Sequence, residues 1–224
     1  MDLKSKIILI SGPTASGKSK AALKIAKKLN GEIINADSMQ VYKELNILTA
    51  RPSKTDLNKI DHHLYGFRSV KREFSSGEWL KLAKKNIKKI RNKNKIPVLV
   101  GGTGLYFKAL TDGLVKIPKI PISVRDKIRR MQNKLGQKKF YLKLLNNDPL
   151  VKNKIDPTDV QRSIRAYEVI KFTKKSVFSW YTKTKPSFKK DQFIKIYVDY
   201  PKEILINKIS KSCLLYTSPS PRDL

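Results

Sequence analysis

The chain has 224 residues, 40% of them hydrophobic, enough for one domain of ordinary size with a smaller insertion. Lysine and arginine number 49 against 18 aspartates and glutamates, a formal net charge of +31. Part of that excess is compositional background in a chain rich in Lys, Ile and Asn, but the field still points to a polyanion, nucleic acid ahead of an anionic membrane surface. The single cysteine, Cys213, excludes an intrachain disulfide and a cysteine zinc site. No apolar run reaches the length of a membrane span, and the N-terminus does not read as a secretory signal. A cytoplasmic protein without membrane association is expected.

Lys6–Ile10 is a short apolar run that reads as a buried strand. It leads into Gly12-Pro13-Thr14-Ala15-Ser16-Gly17-Lys18-Ser19, which fits the phosphate-binding pattern G-x-x-x-x-G-K-[ST]. Glycines let backbone N–H groups curl around an anion, the lysine adds a point charge, and the Ser19 hydroxyl can hold Mg²⁺. Ala22, Ile25, Ala26 and Leu29 then fall on one helical face, so the anion would sit at a helix N-terminus. This predicts binding of a di- or triphosphate and leaves open which one.

Glu32–Asn35 reads as a second strand, ending at Ala36-Asp37-Ser38. Ser75 and Glu78 can form a capping box that opens a helix through Trp79, Leu82, Ala83 and Ile87. The Lys84–Lys95 charge run reads as its solvated face. Ile96–Val100 is a third strand, and Gly101-Gly102-Thr103-Gly104 turns out of it. Adjacent His62 and His63 have no carboxylate cluster nearby in sequence, and a metal role is not expected for them. Strands alternating with helices predict an α/β fold, a P-loop core with a parallel sheet.

Pro118 and Pro121 mark a break, after which the pattern is helical. Ser123 is expected to cap a helix carrying Val124, Ile128 and Met131, Gly136 to stop it, and Phe140, Leu144 and Leu145 to lie on the next. Asp159–Phe172 reads as the last helix of this basic insertion. Phe193–Val198 returns to strand character. The predicted organisation is a P-loop α/β core over 1–117, a helical insertion domain over 118–190 and a return to the core over 191–212. From Cys213 the lysines stop, and 213–224 reads as a tail foreign to the fold.

Four further segments accompany the phosphate loop in order: Asp37-Ser38-Met39-Gln40-Val41-Tyr42, Thr49-Ala50-Arg51-Pro52, Gly101-Gly102-Thr103-Gly104-Leu105-Tyr106, and the stretch from Asp156-Pro157-Thr158-Asp159 through Gln161-Arg162-Ser163-Ile164-Arg165 to Val169. Together they resemble the tRNA dimethylallyltransferase family over about Lys6 to Ser212. The resemblance implies transfer of a dimethylallyl group from its diphosphate to the exocyclic amine of the adenosine beside the tRNA anticodon, with Mg²⁺ as cofactor. It makes Asp37 the general base, with Lys18 and Thr103 also catalytic, and gives the diphosphate rather than ATP to Gly12–Ser19. By the same resemblance Asp37, Ser38, Met39, Gln40 and Thr103 contact the flipped base and its neighbours. Arg125, Gln161, Arg162, Ser163, Ile164 and Arg165 face the anticodon stem-loop, and the enzyme acts as a monomer.

The chain departs from the family pattern at Leu48, where glycine is usual, at Arg51, where lysine is usual, and at Pro201-Lys202, where an arginine usually follows the strand. The family pattern also continues beyond Ser212 with an arginine-bearing segment and closing helices, so the chain reads as a shortened enzyme of reduced activity. A nucleotide or small-molecule kinase shares the loop and core, but does not need Asp37-Ser38 followed by Gly-Gly-Thr-Gly. A prenyltransferase acting on adenylate has less use for so basic a chain. A non-enzymatic RNA-binding module with a vestigial loop is the remaining alternative. Taken singly, Asp37 and Thr103 could each be no more than a helix cap, and Arg162 with Arg165 no more than solvated charge.

Overall fold

The computed structural model describes residues 3–45, 49, 51–182 and 184–217, with the side chains of Lys54 and of 211–217 outside that description. The chain divides into two compact units, one formed by 1–111 with 186–224 and the other by 112–185. The second unit begins and ends some residues earlier than the 118–190 read from the sequence.

The first unit is built on a five-stranded, all-parallel sheet: β1 (Ile7–Ser11), β2 (Gly31–Asn35), β3 (His62–His63), β4 (Ile96–Val100) and β5 (Phe193–Tyr197), in the order β3-β2-β4-β1-β5. Residues of β1 and β4 alternate between two buried faces, so these two strands read as continuous apolar runs. Ile7, Leu9, Ile34 and Leu99 pack against Trp79, Ala83, Ile87 and Ile90 of α3 (Ser76–Asn92) and Tyr106 and Leu110 of α4 (Gly104–Thr111). On the other face, Ile8, Ile10, Ile33, Val98 and Val100 pack against Ala22 and Ala26 of α1 (Lys18–Lys28). The Ser75–Glu78 capping box is formed in both directions and starts α3 where the sequence indicates. A short α2 (Lys54–Lys59) precedes β3, and α8 (Lys202–Thr217) follows β5. The residues read as a foreign tail thus enter α8, and 218–224 lie outside the described residues.

The connection from β1 leads to β2 on one side of it, and the chain leaving β4 returns as β5 on the other. Where connections diverge this way, a crevice opens beyond the C-terminal ends of the strands. The phosphate loop follows β1, the Asp37 loop follows β2 and the Gly101 loop follows β4, so all three rise from neighbouring strands at that end.

The second unit is helical: α5 (Ile122–Asn147), α6 (Val160–Thr173) and α7 (Val177–Tyr181). Its core is built from Phe140, Leu144, Val151, Tyr167 and Val169 among others. Gly136 breaks α5 with φ 71 and ψ 163, the stop that the sequence predicts. Ser123 does not cap this helix, because Pro121 already holds the N-cap position and Ser123 lies inside the first turn. Asp159 does cap α6, accepting from the Arg162 N–H at 2.9 Å.

At the other end of β2, away from the three loops, Glu32 is fully buried. Its carboxylate meets His63 Nε2 at 2.7 Å, Lys93 Nζ at 2.8 Å and Lys95 Nζ at 2.9 Å. Burial alone would raise its pKa, but the three donors outweigh it and bring the carboxyl down to about 2. A depressed carboxyl contributes stability above its unfolded value, near 4.5, that is lost as pH falls toward the folded value. Thermal unfolding followed from neutral pH downward should therefore show the protein losing stability between about pH 5 and pH 2. Glu32→Gln should remove part of that slope, and an unchanged profile would place the acid sensitivity elsewhere.

Candidate functional site

The phosphate loop is shaped by close approach. A β-carbon at Gly12 would lie 2.6 Å from the Val198 carbonyl oxygen, so only glycine lets the chain leaving β5 pass the loop. Gly17 enters α1 with φ 84, and Ala15 adopts φ 63, a left-handed conformation that costs a non-glycine residue about 1 kcal/mol or more. Lys18 Nζ donates to the Pro13 carbonyl at 3.0 Å, folding the lysine across the loop. The Ser16 hydroxyl is buried within it with no hydrogen-bond partner among the described residues. Burial lowers the Lys18 pKa, and the negative charge of Asp37 partly restores it, so the two side chains feel each other.

Asp37 is held by a residue that sequence reading passes over. Asn35, fully buried at the end of β2, accepts the Asp37 N–H at 2.9 Å and donates to the carbonyls of Asp37 at 2.9 Å and Leu64 at 3.0 Å. Its own carbonyl accepts the Trp79 indole N–H at 2.9 Å, and Trp79 stacks on Tyr106 with ring centroids 4.3 Å apart. Asp37 Oδ1 takes the Met39 N–H at 2.9 Å, and Oδ2 would stand 3.7 Å from a β-carbon at Gly102. The signal for Asn35 was a short polar amide closing an apolar strand, a residue type that bonds its own backbone two residues on. Asn35→Ala leaves those backbone groups unpaired at a cost of about 1–3 kcal/mol each where they stay buried. Chemical unfolding should register that loss, and an unchanged midpoint would show that water substitutes for the clamp.

The Gly101 loop closes on Asp37. Thr103 Oγ1 accepts the Ser38 N–H at 2.9 Å and lies 3.3 Å from Ser38 Oγ, while the Thr103 N–H donates to the Ala36 carbonyl at 3.2 Å. Thr103 thus ties the β2 and β4 loops together, beyond any capping of α4. Tyr65 and Tyr106 have hydroxyls raised by burial and by the charge of Asp37, with Tyr106 pushed up to about 12 by burial, Tyr42 and Asp37. Met39 is half exposed, and Gln40 turns back to donate to the Thr49 carbonyl at 2.7 Å. A cleft of about 600 Å³ adjoins α1, lined in part by Ser19, Lys24, Arg51, His62 and Tyr65. Leu48 and Ala50, two positions of the adjacent sequence motif, lie outside the described residues.

His62 and His63 form the edge strand β3. His62 Nδ1 is 2.7 Å from the Ile60 carbonyl oxygen and His63 meets Glu32. No group of three or more His, Cys, Asp or Glu able to hold a metal occurs among the described residues. A diphosphate-bound Mg²⁺ needs no such cage, since this ion keeps waters and phosphate oxygens as most of its ligands. Ser19 is exposed on the first turn of α1 and faces the cleft, which fits that use. Among the described residues no helix is long and apolar enough to cross a membrane.

In the second unit the residues of the α6 motif divide. Gln161, Arg162 and Arg165 are exposed, Ser163 is buried beside Gln137, and Ile164 is part of the core. Helical periodicity turns the Ser163 and Ile164 side chains inward and leaves Gln161, Arg162 and Arg165 on the outer face. Arg125 lies 3.6 Å from the buried Glu168, which also meets Arg165 at 3.4 Å.

The sequence pattern of the IPP transferase family matches residues 40–214. The chain belongs to the IPP transferase family. It is 60% identical over 210 residues to the tRNA dimethylallyltransferase of Pelagibacter ubique, covering 94% of this chain and 67% of that protein. It is 47% identical over 190 residues to the enzyme of that name from Rickettsia massiliae, covering 85% and 52%. Among solved structures, a eukaryotic dimethylallyltransferase acting on tRNA superposes with a TM-score of 0.78 at 28% identity, over 92% of this chain and 51% of that one. A tRNA isopentenylpyrophosphate transferase from Staphylococcus epidermidis superposes with a TM-score of 0.57 at 31% identity, over 94% and 69%. The chain therefore spans from about half to two thirds of the length of these IPP transferases and their curated relatives.

Proposed function

We propose that this IPP transferase moves a dimethylallyl group from dimethylallyl diphosphate to the exocyclic amine of an adenine next to a tRNA anticodon. The observation that carries the reading is the juncture of Gly12–Ser19, Asp37 and Thr103 at the C-terminal ends of adjacent strands in a chain of this family.

The exocyclic amine is a weak nucleophile because its lone pair is delocalised into the ring. As its nitrogen bonds to the first carbon of the allyl group, Asp37 takes the proton, and the carbon–oxygen bond to the diphosphate breaks with its electron pair leaving on oxygen. The N–H groups of Thr14–Ser19, the buried Ser16 hydroxyl and Lys18 receive that charge, in a setting where aimed donors are worth most. Thr103 Oγ1 donates to Ser38 Oγ at 3.3 Å, and on substrate binding that proton would turn to the bridging oxygen of the diphosphate. Ser19 would hold Mg²⁺, which supplies further charge neutralisation on the diphosphate. The adenine must leave its stack to be reached, and Ser38, Met39 and Gln40 lie beside Asp37 to receive it. We assign RNA contact in the second unit to Gln161, Arg162 and Arg165, with Arg125 bracing Glu168 beneath them, and we place the enzyme in the cytoplasm as a monomer.

Incubation with labelled dimethylallyl diphosphate and, separately, unmodified tRNA, AMP or ATP tests the reading. Label should enter the tRNA alone, and label in AMP or none in any acceptor would overturn it. Binding of an anticodon stem-loop should weaken steeply with salt, because each neutralised phosphate releases counterions. Arg162→Ala with Arg165→Ala should lower the slope by about two if each meets a phosphate. An unchanged slope would return both arginines to the role of solvated charge.

A further inference from the structure

The helical unit carries a pocket where two arginines of the α6 motif meet side chains that no motif includes. It measures about 200 Å³ and is lined chiefly by Lys154, Ile155, Arg162, Arg165, Phe178 and Tyr181. Phe178 and Tyr181 stand edge to face, with centroids 5.8 Å apart, and Tyr181 is 52% exposed. Lys154 Nζ lies 4.9 Å from the centre of the Phe178 ring. Arg162 and Arg165 each carry an ion pair within α6, to Asp159 at 3.1 Å and Glu168 at 3.4 Å, which orients them without adding a carboxylate to the lining. The surrounding unit, 112–185, has nineteen lysines and arginines against six acidic residues.

An exposed aromatic ring is a poor choice for a merely solvated surface, and three cations around two rings suit a ligand that is both flat and anionic. A single unpaired nucleotide is such a ligand: its base offers a π-face to stack and its phosphate an anion to pair. A base inside a duplex is already stacked, and so cannot use the pocket. We propose that this pocket is a second RNA subsite that takes one unpaired nucleotide, its base on Tyr181 and Phe178 and its phosphate between Lys154 and Arg162. The inference rests on RNA being the partner, and it adds Lys154, Phe178 and Tyr181 to the residues that meet it.

The test uses the whole chain without any diphosphate, so it is independent of prenyl transfer. The probe is a short single-stranded RNA carrying 5-bromouridine, irradiated and mapped by mass spectrometry. Crosslinks are expected on the peptide that holds Phe178 and Tyr181. Tyr181→Ala should weaken binding of that oligonucleotide roughly ten-fold, Tyr181→Phe should restore it, and affinity for a duplex RNA should not change. Lys154→Ala should lower the salt slope by about one. Crosslinks confined to the first unit, or equal affinities for Tyr181→Ala and the unaltered chain, would overturn the subsite. Failure of label transfer to tRNA, with these crosslinks intact, would overturn the proposed reaction and leave the subsite standing.

Discussion

Asp37→Asn is expected to slow dimethylallyl transfer by roughly 10²–10⁴-fold, the usual contribution of a positioned general base, while RNA affinity stays close to that of the unaltered protein. The substitution is chosen because the loop should survive it. Asn35 grips residue 37 through its backbone N–H and carbonyl, which the change does not touch. The Met39 N–H can still find an amide oxygen at the position of Oδ1. What is lost is the proton acceptor, together with the negative charge that supports protonated Lys18. Diphosphate affinity should therefore weaken first at high pH, as Lys18 gives up its proton more readily. Single-turnover rates separate the chemical step from binding. Rates near those of the unaltered protein would remove Asp37 from the reaction.

Gly101→Ala should be strongly destabilising. A β-carbon there would lie 2.2 Å from both the carbonyl carbon and oxygen of Ala36 and 2.7 Å from the Asp37 nitrogen. All three are backbone atoms and cannot swing aside. At the same point the Gly101 N–H bonds the Ile10 carbonyl at 3.2 Å and the Ala36 N–H bonds the Val100 carbonyl at 2.8 Å. Relief would need the ends of β2 and β4 to part, separating Thr103 from Ser38. Overpacking of this kind costs about 3 kcal/mol or more, which for a chain of this size lowers the melting temperature by roughly 6–12 °C. Gly104→Ala is the control, since a β-carbon there meets nothing within 4 Å. Equal melting temperatures for the two variants would show that the loops are not packed as described.

Much of the first unit was legible because its signals are local. The apolar runs of β1 and β4, the glycine loop and the Ser75–Glu78 box each declare themselves within a few residues, and their structures follow. β3 did not declare itself: two histidines show no alternation, and what makes them a strand is pairing with Ile33 and Ile34 across the sheet. Asn35 and Thr103 show the same limit at the site. Their partners at Leu64 and Ser38 are 29 and 65 residues away in sequence, so only the fold brings them together. Within α6, the motif gave the helix and its cap. The division between outward Arg162 and inward Ser163 depends on which face of α6 turns toward Phe140 and Leu144 of α5.

Amide hydrogen exchange with and without dimethylallyl diphosphate tests the central claim most directly, that the loops after β1, β2 and β4 form one diphosphate site. The account predicts that the ligand slows exchange in 14–19 and, in the same titration, in 37–39 and 101–103. Lys18→Ala should abolish both effects, and ATP should not reproduce the protection of 37–39. Protection confined to the phosphate loop, or produced equally by ATP, would contradict it.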